Sequence, residues 1–133
     1  MIDIGCGSGR WTDYFVDKAG FIEAIDPSDA VFVADKMLGT KNNVRITKAS
    51  VDTIPWADET FDFGMSIGVL HHIPDTRQAM IDCVKKIKKG GYFYVYRSCL
   101  YIFNIFFPYI RKYSGVVEFK KVVYGNIGFL SSP

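Results

Sequence analysis

With 133 residues, 49% hydrophobic and 23% charged, the chain has the size and balance of one globular domain with a real core, which excludes disorder over most of its length. A formal net charge of +2, from 16 basic and 14 acidic side chains, gives no global field for nucleic acid, and no nucleic-acid partner is expected. Three scattered cysteines (Cys6, Cys83, Cys99) and the adjacent His71 and His72 offer neither a zinc-ligand spacing nor a disulfide framework, so no metal is expected and a cytoplasmic location is.

Short apolar runs alternate with longer amphipathic ones, the pattern of repeated strand–helix units on a parallel sheet. Met1 to Ile4 reads as a strand running at once into Gly5, Gly7 and Gly9. The spacing predicts a helix from Arg10 to Ala19, closed by Gly20. Phe21 to Ile25 is a second strand, ended by Asp26-Pro27-Ser28, and that trio opens a helix from Ser28 to Leu38. Val44 to Thr47 is a third strand, and a loop holding Pro55 and Trp56 leads to a fourth, Phe63 to Ile67. Asp75 caps a helix in which Ala79, Met80, Cys83, Val84 and Ile87 recur at helical spacing, stopped by Gly90-Gly91. The run Lys85, Lys86, Lys88 and Lys89 reads as the solvated face and last turn of that helix. Tyr92 to Tyr96 is a fifth strand. Beyond it, Cys99 to Ile110 is apolar throughout, helical up to about Pro108 and too short for a membrane span of roughly 20 residues. Val116 to Tyr124 fits helix or strand.

Two places carry chemistry. Glycines in the turn after strand one leave no Cβ, so a ligand can approach the backbone, and the following helix start presents free N–H groups. At the end of strand two, the Asp26 carboxylate can accept hydrogen bonds from both hydroxyls of a ribose, or serve as a helix cap.

The GxGxG spacing of Gly5, Gly7 and Gly9 after Asp3 resembles the first motif of the class I S-adenosylmethionine-dependent methyltransferases. Dinucleotide-binding folds use GxGxxG instead. The block from Thr53 through Phe61-Asp62-Phe63 and Gly68-Val69-Leu70-His71-His72-Ile73-Pro74 to Asp75 resembles the strand-four region of the type-11 methyltransferase domain. Ile87 to Tyr92 resembles that family's turn into strand five, with Lys89 where it usually has proline. The resemblance covers about the first hundred residues. It implies an α/β, Rossmann-like, open and mostly parallel sheet with helices on both faces, and S-adenosyl-L-methionine as cofactor. By position, Gly5, Cys6, Gly7 and Gly9 would line the methionine end, with Asp3 supporting the turn. Asp26 would bind the ribose and Pro27 would pack near the adenine. Where the family usually has an aspartate for the adenine amino group this chain has Ser50, with Asp52 as a substitute, and Val51 could offer its N–H to the ring. Ile67 and Gly68 would turn backbone carbonyls to the cofactor's amino group.

Methyl transfer from a sulfonium needs alignment and exclusion of water, and a general base only where the acceptor loses a proton. His71 and His72 either supply that base or brace the loop before Pro74. The acceptor is expected to be a small molecule, lipid-like or aromatic. The competing expectations are a non-catalytic or incomplete methyltransferase-like module and a fragment of a nicotinamide-dependent oxidoreductase. Strand one has only about four residues before the turn, so the domain is expected to be truncated there. Residues 1–97 form the expected cofactor-binding core, and 98–133 a C-terminal segment of the same domain, with 99–112 a lid, a peripheral membrane contact or an element packed on the sheet.

Overall fold

The computed structural model describes residues 1–96 and 121–125. Its strands are β1 (Ile2–Ile4), β2 (Ile22–Asp26), β3 (Val44–Lys48), β4 (Phe61–Ile67), β5 (Ile87–Tyr96) and β6 (Lys121–Gly125), and its helices α1 (Arg10–Phe15), α2 (Ala30–Leu38) and α3 (Thr76–Lys85). The strands form one sheet in the order β3-β2-β1-β4-β5-β6, every pairing parallel. Strand one therefore lies between β2 and β4, where the chain switches from building the sheet one way to building it the other.

Side-chain alternation along the strands separates two apolar layers. Ile2 and Ile4 of β1, Ile25 of β2, and Phe93 and Val95 of β5 meet Ala79, Met80 and Cys83 of α3. On the other face Ile22 and Ala24 of β2 and Val44 of β3 meet Val16 and Leu38. Helices thus cover both faces, as the sequence pattern predicts, and central strands are apolar on both sides. Asp3, Glu23 and Ser66 are the polar side chains buried within this frame alongside Thr12 and Asp26.

Strand limits shift by up to five residues, and three helix boundaries differ from the sequence expectation. Helix α1 stops at Phe15 rather than Ala19, and in the turn that follows it the carbonyls of Val16 (2.8 Å) and Ala19 (3.1 Å) accept the Asn43 side-chain amide. Helix α2 begins at Ala30, because Ser28 is held by Asp26 before the helix starts. Helix α3 ends at Lys85, and Ile87 already belongs to β5 as the register partner of Phe61. The carbonyls of Lys85 and Lys86 accept the N–H groups of Glu59, Thr60 and Phe61, so the helix end seeds the β4–β5 ladder. Gly90 and Gly91 do not stop the helix; they lie within β5, where the register slips between Phe61 and Phe63. Asp75 does cap α3, accepting from the Gln78 N–H at 2.9 Å.

Lys85, Lys86 and Lys88 each pair with a carboxylate, Asp82 at 3.2 Å, Asp58 at 2.8 Å and Asp62 at 2.9 Å respectively. Of the run Val116 to Tyr124, the residues from Lys121 on lie in β6 (Lys121–Gly125), and 116–120 lie outside the described residues. The apolar run Cys99 to Ile110, the basic residues after it and the rest of 98–133 lie outside the described residues. Among the described residues no helix is long and apolar enough to cross a membrane.

Candidate functional site

In an open parallel sheet ligands gather outside the carboxyl ends of the strands, at the switch point. Here that point is the crevice at the ends of β1, β2 and β4. The turn after β1 is anchored by the N–H groups of Gly5 and Cys6, which both donate to the Ile25 carbonyl, at 2.8 and 3.0 Å. Gly5 has φ 83°, and a Cβ built on it would lie 2.3 Å from Val69 Cγ2, so this position needs glycine both for its backbone and for the side chain that follows β4. Gly9 packs against Ala34 and Leu38 of α2. Gly7, at φ 54°, differs: a Cβ there would meet nothing within 4 Å. Gly68, just beyond β4, is equally open. The two open glycines mark backbone that a ligand can reach.

Asp26 closes the crevice from β2. Its Oδ2 accepts the Gly7 N–H at 2.8 Å, and its Oδ1 accepts both the N–H (2.8 Å) and the hydroxyl (2.5 Å) of Ser28. A carboxylate has about four acceptor positions, so one remains on Oδ2 and another is gained when the Ser28 hydroxyl rotates away. The Asp26 backbone carbonyl also accepts the Ala49 N–H at 3.2 Å, which brings the segment after β3 to the same edge. Pro27 beside it is exposed.

Asp3 is buried on β1, and its carboxylate reaches α1 rather than the turn: Thr12 Oγ1 donates to its Oδ2 at 2.6 Å. Burial raises the Asp3 carboxyl to about 6, against the hydrogen bond from Thr12 that lowers it, with a further rise from the negative charge of Asp26. Burial, joined by the charges of Asp3 and Asp26, pushes the Cys6 thiol up to about 12, and the thiol donates to the Gly7 carbonyl at 3.7 Å and packs in the apolar cluster of Val16 and Leu38. Cys6 is thus a packing residue and not a thiolate nucleophile.

After β3, Ser50 opens a short 3-10 turn, Val51–Thr53. Its hydroxyl donates to the Asp52 carboxylate, and its N–H donates to Thr53 Oγ1 at 3.1 Å. The two candidates for the adenine amino group are therefore joined into one unit, with half-buried Val51 between them. At the end of β4, Ile67 pairs with Tyr96, and the Gly68 N–H donates to the Tyr96 carbonyl at 3.0 Å. His71 and His72 follow in a second 3-10 turn, Leu70–His72, their ring centroids 3.9 Å apart and the planes tilted by 42°. His72 is exposed and His71 half-buried.

All the sequence-predicted positions thus lie along the carboxyl edge of the sheet. Thr12 and Val69 are additions. Thr12 could have been suspected as a hydroxyl on the buried face of the helix following an acidic strand end, whereas Val69 has no signal before the fold brings it against Gly5.

The methyltransferase-domain family model matches residues 2–95. A tRNA (carboxymethyluridine(34)-5-O)-methyltransferase of Saccharomyces cerevisiae is 29% identical over 99 residues, covering 71% of this chain and 34% of that protein. A ubiquinone biosynthesis O-methyltransferase of Rhizobium etli is also 29% identical over 99 residues, covering 71% and 39%. The chain thus spans little more than a third of the length of these relatives. The crystal structure of a SAM-dependent methyltransferase from Aquifex aeolicus superposes with a TM-score of 0.58 at 25% identity, covering 66% of this chain and 50% of that one. The matched span takes in the glycine turn, Asp26 and the strand-four block together: the chain belongs to the S-adenosylmethionine-dependent methyltransferase domain family.

Proposed function

We propose that this chain carries the S-adenosylmethionine-binding core of an enzyme that methylates an oxygen of a small-molecule acceptor. The observation that carries the proposal is the Asp26 carboxylate, buried at the end of β2, tied to the open Gly7 backbone and still holding acceptor capacity. A ribose diol asks for that arrangement. The residues present fit the cofactor in two further ways. Gly7 and Gly68 leave space over the crevice. The GxGxG spacing of the turn, in place of the GxGxxG of dinucleotide-binding folds, speaks against a nicotinamide dinucleotide.

S-adenosylmethionine, when bound, would supply a methyl group already activated on a sulfonium for transfer to the acceptor oxygen. The protein then has to hold, align and keep out water. Asp26 would hold the ribose, the turn from Gly5 to Gly9 would cradle the methionine end, and the Ser50–Asp52 unit with the Val51 N–H would meet the adenine. A hydroxyl acceptor gives up its proton, and an imidazole of His71 or His72, in the turn that follows β4, would take it.

Oxygen as the acceptor atom is supported by the names of both curated relatives, each an O-methyltransferase. A small molecule is favoured over RNA because Lys85, Lys86 and Lys88 are matched by acids and form no open basic patch. The buried free thiols of Cys6 and Cys83 support a reducing, cytoplasmic setting.

Calorimetric titration with S-adenosylhomocysteine, with NAD as control, tests the cofactor. Selective micromolar binding is expected. A folded chain that binds neither ligand is the non-catalytic module instead. An acceptor screen over hydroxylated aromatics, lipid-like alcohols and tRNA then tests the acceptor class, and methylation of tRNA alone overturns the small-molecule reading.

A further inference from the structure

The outer side of α2 carries apolar side chains where a surface helix carries polar ones. Seven of its nine residues are apolar, and only Asp35 and Lys36 interrupt them. Val31, Ala34 and Leu38 are buried against the rest of the domain. Phe32, Val33 and Met37 point away from it and stay 62%, 51% and 50% exposed. Helix α3 has the ordinary arrangement, its exposed positions being Arg77, Gln78 and Lys85. A helix that is apolar on all sides is normally covered on all sides.

The charges on the same stripe point to what covers it. Asp29, the residue before α2, has a helical backbone, with φ −70° and ψ −8°. Asp29, Phe32, Val33 and Lys36 therefore follow at the three- and four-residue spacings of one helix face. Asp29 is exposed; among the described residues Lys48 engages its Oδ1, at 2.6 Å, and nothing engages its Oδ2. Lys36 forms no ion pair among the described residues. The order along the face is acid, apolar, apolar, base, which complements itself when reversed.

We propose that α2 is a self-association face, on which a second copy of this chain packs its own α2 in antiparallel orientation. About a two-fold axis between Phe32 and Val33, Asp29 meets Lys36 of the second copy and Phe32 meets its Val33. Each contact occurs twice, as an isologous interface requires. A parallel pairing would set Asp29 against Asp29 and Lys36 against Lys36, so charge selects the antiparallel one. Met37, four residues after Val33, extends the apolar strip. The Lys48 ammonium, 5.2 Å from the centre of the Phe32 ring, forms a polar rim beside Asp29. The face is separate from the crevice, because α2 meets Gly9 through Ala34 and Leu38 on its opposite side. A helix of nine residues is about 14 Å long and presents less than the roughly 800 Å² that each partner of a standard interface buries. The pairing is therefore weak and depends on concentration.

Sedimentation velocity on the intact chain, from about 10 μM to about 1 mM, is the test. The wild type should shift with concentration from one chain mass toward two. Lys36→Glu alone and Asp29→Lys alone should each weaken association at least about tenfold, because like charges then meet at both ends of the helix pair. Mixed in equal amounts, the two variants should associate again, since each supplies the sign that the other lacks. Phe32→Ser should abolish association. All three side chains are exposed, and circular dichroism should show each variant folded as the wild type is. A wild type that stays a monomer throughout overturns the proposal, including one that instead sediments with phosphatidylglycerol vesicles through Phe32. A dimer that survives both charge variants, or a mixture of the two that does not associate, overturns it as well by placing the contact elsewhere.

Discussion

Gly7 and Asp26, 19 positions apart, are joined by a hydrogen bond of 2.8 Å from the glycine N–H to the carboxylate. The bond fastens the turn after β1 to the end of β2, so the segment that would cradle the methionine and the group that would hold the ribose form one rigid piece. Pre-organisation of this kind spares a ligand the cost of ordering the loop.

Replacing Asp26 by asparagine keeps the shape and an oxygen for the Gly7 N–H but removes the charge and turns one acceptor into a donor. Hydrogen bonds to charged groups contribute about 1.5–3 kcal/mol, so the dissociation constant for S-adenosylhomocysteine should rise about 10- to 100-fold. The circular dichroism spectrum should be unchanged. A folded variant with wild-type affinity would show that Asp26 does not hold the ribose.

Gly5 and Gly7 make opposite demands, and alanine at each should separate stability from binding. At Gly5 the new Cβ falls 2.3 Å from Val69 on top of a left-handed backbone, and an overpacked, strained site costs about 2–4 kcal/mol. At Gly7 nothing lies within 4 Å, so only the backbone strain of about 1–2 kcal/mol applies. Thermal denaturation should rank Gly5→Ala well below Gly7→Ala. Calorimetry on Gly7→Ala, which remains folded, should show a loss of cofactor affinity larger than its loss of stability. Equal melting temperatures for the two variants would contradict the packing of Val69 on the turn.

What could be read from the residues alone was what is encoded over short spans. Glycine at alternate positions after an apolar strand, and an acid at the end of the next strand, are local patterns, and both landed at the crevice. The α3–β5 boundary was illegible for a physical reason. Ile87 continues the helical repeat of Cys83 and Val84, yet it is equally suited to a buried strand, and only its pairing with Phe61 across the sheet decides. The glycine pair reads as a helix stop because local sequence favours that use, whereas in the sheet it absorbs the slip in register between Phe61 and Phe63. Val69 acts through a contact with Gly5 that only the fold makes, and no spacing announces it.

The histidine pair should divide its roles by exposure. His72 is exposed beside the crevice, whereas His71 is half-buried with its ring 3.9 Å from that of His72. With a hydroxylated acceptor, His72→Ala should lower kcat at least about tenfold with the affinity for S-adenosylhomocysteine changed less than about twofold. His71→Ala should lower the melting temperature. If neither variant slows transfer, both imidazoles are braces for the loop before Pro74.

Asp3 gives the fold an unusual pH dependence. Burial raises its carboxyl to about 6 in the folded chain from the ordinary 3.8 of the unfolded one, so the native state binds the extra proton between those limits. Stability is fully present below about 4 and falls as pH rises toward 6, by roughly 2–4 kcal/mol in all. This is opposite to a carboxylate in a surface ion pair: Asp62, held below its usual range by the hydrogen bond and charge of Lys88, loses its contribution as pH falls, and does so below the window of Asp3. Glu23, raised by burial, acts in the same sense as Asp3, so the wild-type curve alone mixes the two. The difference between wild type and Asp3→Asn isolates the residue. Urea denaturation at pH 4 and pH 7 should show that Asp3→Asn gains stability relative to the wild type on going to pH 7, because the amide never pays the cost of a buried charge. An equal difference at both pH values would mean that Asp3 ionises alike in the folded and unfolded chain, and the cost of burying its charge would have to be abandoned.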